Sequence, residues 1–271
     1  MPALDDHPLR YTLNSELHAR PFPSLTAPHV AAYLAVRPLG EAARRDRSVD
    51  LQQLRDLLAH YGAPLPAEDA THYFGPMGKY TLKWEQHTEF VTYTVFLDQL
   101  GQRPFDPAEF DVFPQDWRAG LNAQRITSIL LRLVPRPPQD AQIAETLQDW
   151  FVPESLAVAS VLEDAAVIAS DFRIDPAGHM RMAVFASEGT GSRRLGRIVQ
   201  RLCEIETYKS MSMLGFAKVR EFAGQLDRID AELNDLMAGM AGTSAMAEDT
   251  LHRLLDISVG LEALSADASY R

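Results

Sequence analysis

Residues 195–240 read LGRIVQRLCEIETYKSMSMLGFAKVREFAGQLDRIDAELNDLMAGM, and this stretch decides how the chain is built. Apolar side chains recur at three- and four-residue spacing: Leu195, Ile198, Leu202, Ile205, Phe216, Val219, Ala223, Leu226, Ile229, Leu233, Leu236 and Met240. Such spacing puts them on one face of an α-helix. Only Lys209 and Ser212 interrupt the seam. A register held this long predicts one coiled-coil-like helix rather than several short ones. Unbroken, it would extend roughly 75 Å at about 1.5 Å per residue. Gly239, Gly242, Thr243 and Ser244 predict a turn, and Leu251, Leu254, Leu255, Leu261 and Leu264 a second helix folding back antiparallel. The seam from Leu195 to Leu236 needs covering by the second helix, by the rest of the chain or by another copy. A homo-oligomer is the economical solution.

Working outward, residues 1–188 read as an α+β head and 189–271 as a helical stalk. His29–Val36 has the composition of a buried strand. A helix follows, started by Ser48 or Asp50, with Leu51, Leu54, Leu57 and Leu58 on one face. Thr71–Phe74, Lys79–Gln86 and Glu89–Leu97 are dense in β-branched and aromatic residues and predict three strands. After a connector with a helical turn near Trp117, the order starts again. Arg125–Val134 is a strand, Gln139–Trp150 an amphipathic helix, and Ser155–Leu162, Ala165–Ile174 and Met180–Ala186 are strands. The last two are joined by the turn Asp175-Pro176-Ala177-Gly178. The fold class is α+β: a mixed or antiparallel sheet, built as a possible duplicated β-α-β-β-β unit with helices on one face, followed by a long antiparallel helical hairpin. The first 28 residues are rich in proline, with a short helical stretch around Tyr11–Ala19.

Charge narrows the function classes. The 26 Lys+Arg against 37 Asp+Glu leave a net charge of -11, which disfavours nucleic-acid backbones and direct adsorption to anionic lipid. A single cysteine, Cys203, rules out an intrachain disulfide and a cysteine-based metal site. No apolar run is long enough to span a bilayer, and the N-terminus shows no secretory signal.

Three stretches carry a resemblance. They are Leu13-Asn14-Ser15-Glu16-Leu17-His18-Ala19-Arg20-Pro21-Phe22-Pro23, Leu82-Lys83-Trp84-Glu85-Gln86-His87-Thr88-Glu89-Phe90 and Arg201-Leu202-Cys203-Glu204-Ile205-Glu206-Thr207-Tyr208-Lys209. Together they resemble an uncharacterised bacterial family of predicted membrane-anchored proteins. The resemblance implies a chain that continues past Ser269-Tyr270-Arg271 into hydrophobic segments, so that this one is truncated before a membrane-anchoring region. It implies a place on the cytoplasmic side of the inner membrane. It supplies no substrate, cofactor or catalytic residue. The element order is also similar to that of CorA-type ion channels, a likeness of layout alone.

Four groups invite chemistry. Glu85, His87 and Glu89 alternate, and on a continuous strand they would converge on one face as metal ligands, with His72 as helper. If Gln86-His87-Thr88 is instead the tip of a hairpin, the three scatter. Gly189, Gly191, Ser192 and Arg193 join a strand to a helix, where free N–H groups and arginines suit an anion. A helix start capped by Thr190 or Ser192 explains the same residues. Glu16, His18 and Arg20 offer a base and an anion clamp, or a surface pair four residues apart. Glu204, Glu206, Tyr208 and Lys209 interrupt the stalk seam, either setting register or lying in solvent. Cys203 reads as a buried structural thiol. The leading function class is a non-enzymatic interaction or scaffold module that self-associates through its stalk. The alternatives are a metal-dependent enzyme or metal-binding protein using Glu85, His87 and Glu89, and the soluble head of a channel-like oligomer.

Overall fold

The computed structural model describes residues 6–7, 10, 22–39, 46–240 and 247–269. The expected helical stretch around Tyr11–Ala19, the group Glu16, His18 and Arg20, the turn at Gly242, Thr243 and Ser244, and Tyr270 and Arg271 lie outside them.

Strand β1 (His29–Pro38) is buried at every residue from Val30 to Val36, the pattern of a strand covered on both faces. It lies in the middle of a sheet with β2 (His72–Met77), β3 (Tyr80–Gln86), β4 (Val91–Leu97), β5 (Ala123–Pro135), β6 (Ala157–Val161), β7 (Ala166–Ser170) and β8 (Met180–Ala186). The eight strands are ordered β2-β3-β4-β1-β5-β8-β7-β6. Neighbours are antiparallel except β5 and β8, which run parallel. The α+β class and mixed sheet are therefore as read.

Both halves have the element order β-α-β-β-β, and their strand orders mirror each other about the β1–β5 pair. Direction breaks the duplication. β1 is antiparallel to β4, whereas its counterpart β5 is parallel to β8. The passage from the helix to the following strand is longer in the first half, residues 61–71 against 151–156. The longer passage gives the chain room to enter its three-stranded meander from the opposite end.

Helices cover both faces, not one. On the first face lie α1 (Arg47–His60), through Leu51, Leu54, Leu57 and Leu58, and α3 (Asp140–Trp150), through Ile143 and Leu147. Between them Phe113 and Trp117, the latter on α2 (Gln115–Gly120), stack on each other and meet Tyr93 edge-on, and Phe110 packs against Phe113. The cap of α1 is Asp46, whose carboxylate accepts the Ser48 N–H. Asp50, expected as a cap, is buried and accepts a bond from Gln86 of β3. The second face carries Tyr33, Ala35, Ile129, Leu131, Met182 and Val184, closed by Leu195, Ile198, Val199 and Cys203.

Those four residues open α4 (Ser192–Met240), the single uninterrupted helix the seam predicts; α5 (Ala247–Ser269) follows. The chain divides into two compact units. One holds the sheet, α1–α3 and α4 as far as Thr207, and the other begins at Tyr208. The division falls inside α4 rather than between residues 188 and 189, because the first turns of α4 are part of the sheet's second core. In the second unit α4 and α5 form an antiparallel hairpin. Gly260 faces Ile229, so close that a Cβ there would lie 3.5 Å from Ile229 Cδ1. Leu236 of α4 and Ile257 of α5 are buried in this unit.

The turn Asp175–Gly178 forms as expected, with Gly178 at φ +90° and the Asp175 carboxylate accepting the His179 N–H. It delivers His179 against Phe110, ring centroids 4.2 Å apart, with Nδ1 3.0 Å from Ser128 Oγ. Burial holds this imidazole below its ordinary value. Arg125 and Arg118 push the same way, and Asp175 and Asp111 oppose them. The unfolded chain therefore takes up the proton first, and stability drains as pH falls below about 6.5 toward the folded value. His179→Gln keeps a partner for Ser128 and removes the proton site. Urea unfolding at pH 7.5 and pH 5 is expected to show a smaller acid loss for the variant than for the parent.

Candidate functional site

Where α4 crosses β1 and β3, the sheet's second face turns from apolar to polar. On β3, Lys83 and Glu85 share the face toward α4, and both are buried. Lys83 Nζ lies 2.9 Å from Glu85 Oε2 and donates to Gln200 Oε1 at 2.8 Å. Gln200 Nε2 then donates to Glu204 Oε1 at 2.7 Å. One turn on, the Thr207 hydroxyl donates to the Cys203 carbonyl, so the Tyr33 hydroxyl, 2.7 Å away, is the donor to Thr207 Oγ1. Burial raises the Tyr33 phenol well above its usual range, and Cys203, Glu85 and Glu204 add to this, which keeps that proton in place. Burial likewise raises the Cys203 thiol far from the thiolate, aided by Glu204 and Glu206. A thiol in that state is no nucleophile. The cluster ties α4 to β3 through Lys83–Gln200 and to β1 through Tyr33–Thr207.

This cluster changes the reading of the seam. Ile205 is 65% exposed, while Glu206 and Thr207 are 3% and 1% exposed. A 3.6-residue period counted from Leu195 arrives at 206, not 205. Leu195 and Ile198 are buried and Leu202 packs at the edge of the same core, as expected. Glu206 sits among the buried residues rather than in solvent.

Glu85, His87 and Glu89 do not converge. β3 ends at Gln86, and residues 87–90 make the hairpin connection, with His87 N–H bonded to the Phe90 carbonyl. The His87 ring stacks on Phe90 at 4.3 Å, and Glu85 is engaged with Lys83. Among the described residues no three His, Cys, Asp or Glu side chains stand where they could hold a metal ion together. His72 pairs with Glu85 across β2 and β3, but is itself exposed.

Of the expected anion-binding residues, Gly191, Ser192 and Arg193 line one cavity at the start of α4, and Gly189 is not in its lining. This wide-mouthed cavity of about 570 Å³ is lined by Gly191, Ser192, Arg193, Arg194 and Arg197. Arg194 lies 3.6 Å from Glu163, and Arg197 stacks on Phe22 at 4.6 Å. Thr190 is not the cap; its hydroxyl donates to Ala165 O. Ser192 is tied to the segment ahead of β1 instead, through Ser24 Oγ at 2.7 Å and the Leu25 N–H at 3.1 Å. That segment crosses α4 at Gly196, where a Cβ would lie 1.6 Å from the Pro23 carbonyl oxygen. A lone glycine inside a helical pattern was the available signal for this crossing.

A second buried pair went unsignalled. Glu109, in the 3-10 turn Pro107–Val112, lies 3.5 Å from Arg132 of β5, with both side chains at least nine-tenths buried. Arg132 also donates to the carbonyls of Arg103 and Gly101, and Glu109 accepts the Gly101 N–H. Glu109 Oε2 and Arg132 Nε find no partner among the described residues. Burial pushes Glu109 up, partly offset by Arg132, and pushes Arg132 down, partly offset by Glu109.

In the second unit, the hairpin interface takes Ile229, Leu233 and Leu236 of the expected seam. Phe216, Val219 and Leu226 are left exposed, as are Met237, Leu251, Leu254, Leu255 and Leu261. At about 100° per residue, Val219, Leu226 and Met237 lie within roughly 20° of one another, roughly 70° beyond the mean direction of Ile229, Leu233 and Leu236, and Phe216 lies farther round. Leu254 and Leu261 lie a similar quarter turn beyond the direction of Ile257, Gly260 and Leu264 on α5, and Leu251 lies farther round. Because the helices are antiparallel, equal offsets in chain direction fall on the same side of the pair. Leu226 and Met237 of α4 therefore fall on the same side of the hairpin as Leu254 and Leu261 of α5.

Among the described residues no helix is long and apolar enough to cross a membrane. Neither a curated protein nor a solved structure matches the chain. One family does: its sequence profile, described as a protein of unknown function (DUF3422), matches residues 5–271, and the chain belongs to that family.

Proposed function

We propose that the chain is a non-enzymatic interaction module that self-associates through its helical hairpin, with the sheet as a rigid head. One observation carries the reading: exposed Leu226 and Met237 on α4 and exposed Leu254 and Leu261 on α5 fall on one side of the hairpin. Isolated exposed leucines are ordinary, but an aligned stripe on both helices is the pattern of a bundle lacking its other half. The head supports the reading from its own chemistry. Its buried ionic groups join separate elements, Lys83 of β3 to Gln200 of α4 and Glu109 to Arg132 of β5, and its cysteine is buried and held as a thiol. The resemblance carried by the three motifs supports a place at the cytoplasmic face of a membrane.

Covering a leucine fully contributes about 1.5–3 kcal/mol. Leu226→Glu with Leu254→Glu removes two such contacts and inserts two charges per chain. Sedimentation equilibrium is expected to show the parent as an oligomer in the micromolar range and the double variant weakened by on the order of 100-fold in Kd. Both substituted positions are exposed, so circular dichroism of the two proteins should coincide. A parent that remains monomeric at high concentration would dispose of the proposal.

A further inference from the structure

We propose that β6 is a second, independent self-pairing edge, through which two copies join their sheets about a two-fold axis at Ala159. β6 reads Ala157-Val158-Ala159-Ser160-Val161, pairs among the described residues only with β7, and is exposed from Ala157 to Ser160. Edge strands are ordinarily protected by charge, proline or a bulge. β6 has none of these. The opposite edge does: β2 carries Pro76, which lacks an N–H, and Gly75, over which the Tyr73 hydroxyl folds to bond the Pro76 carbonyl at 2.8 Å. A sheet with one open edge and one closed edge extends once, by isologous pairing, and then stops.

The register identifies a second copy as the occupant. Beside β6, on the side facing α4, lies an apolar cleft of about 160 Å³ lined by Ala157, Ala159, Ile168, Met182, Phe172 and Leu202. It exists because β6 presents alanines where neighbouring strands present larger side chains. Antiparallel self-pairing centred on Ala159 sets Val161 of each copy opposite Ala157 of the other, on the cleft side of the sheet. On the other side it sets Val158 opposite Ser160. No charge within β6 meets a like charge, and both clefts receive an aliphatic side chain from the same operation.

The only native cysteine is buried, so an introduced thiol reports cleanly. Residues directly opposite in an antiparallel pair have Cα atoms about 4.5–5.5 Å apart, within the span a disulfide bridges. Full-length Ala159→Cys, under mild oxidation, is expected to give a covalent dimer on the order of 10-fold faster than Glu68→Cys, an exposed site on the 61–71 connector. Val158→Cys mixed with Ser160→Cys should give the heterodisulfide in preference to either homodimer. Both results should persist when Leu226→Glu and Leu254→Glu are added, which separates this edge from the hairpin. Ala159→Cys linking no faster than the control would overturn the proposal, and so would linking that disappears with the hairpin variant. Preferred homodimers of Val158→Cys would exclude the register.

Discussion

Arg132→Met is expected to destabilise the head by about 3–5 kcal/mol at pH 7, the usual cost of stranding one member of a buried ion pair. Methionine fills the same space against Trp150, over whose ring the guanidinium lies at 5.7 Å, so lost volume is a minor part of the effect. What remains is the Glu109 carboxylate with the Gly101 N–H as its hydrogen-bond donor. The loss should depend on pH in a definite direction. Glu109 has its folded pKa raised, so its folded form tolerates the proton better than the unfolded chain does. The penalty is absent below the unfolded value and accumulates as pH rises through the folded one. Without Arg132 the folded value climbs further, and the variant should regain stability between pH 7 and pH 5 relative to the parent. Adding Glu109→Gln should restore part of the loss at pH 7 and flatten the dependence. Urea midpoints for the four proteins at three pH values decide this. A loss that is large but independent of pH, and unchanged by Glu109→Gln, would assign it to the loop carbonyls that Arg132 also holds.

Two glycines of the same helix should respond to alanine with opposite signs. At Gly196 the new Cβ would lie 1.6 Å from the Pro23 carbonyl oxygen, a backbone atom that gives way only if the whole segment moves. Its displacement exposes Leu25, now 4% exposed, and breaks the bonds to Ser192. A loss of about 3 kcal/mol is expected, at the upper end for overpacking. At Gly224 nothing lies within 4 Å of the added atom. There alanine merely removes a helix-weakening residue, a gain of about 0.5–1 kcal/mol in the hairpin. Thermal unfolding of Gly196→Ala and Gly224→Ala against the parent measures both. A neutral Gly196→Ala would mean that the segment ahead of β1 is not seated on α4.

Local pattern made most of the elements legible. Strand composition and turn residues placed β1–β8 to within a few residues, and the three-four spacing anticipated α4 as one helix. What depends on long-range pairing was not legible. Nothing in residues 123–186 distinguishes a parallel β5–β8 from the antiparallel arrangement of the first half, because both bury the same alternation. Helix α4 was read as apolar along a single stripe, whereas its neighbours change along its length: apolar strands first, then Lys83, Glu85 and Tyr33. Ile205 accordingly turns outward and Glu206 inward. Beyond Tyr208 the stripe divides between a face covered by α5 and one left open, a division visible only once Ile229 meets Gly260. The Glu109–Arg132 pair brings a 3-10 turn to a central strand and left no periodic trace. For Glu85, His87 and Glu89, the hairpin alternative was open from the residues alone, and it is the one the chain adopts.

The mass of the full chain in solution, by sedimentation equilibrium alongside Leu226→Glu/Leu254→Glu, reaches the central claim most directly. Self-association through the hairpin predicts an oligomeric parent and a folded variant whose association is weaker by on the order of 100-fold. An unchanged oligomer in the double variant, or a parent that stays monomeric throughout, would contradict it.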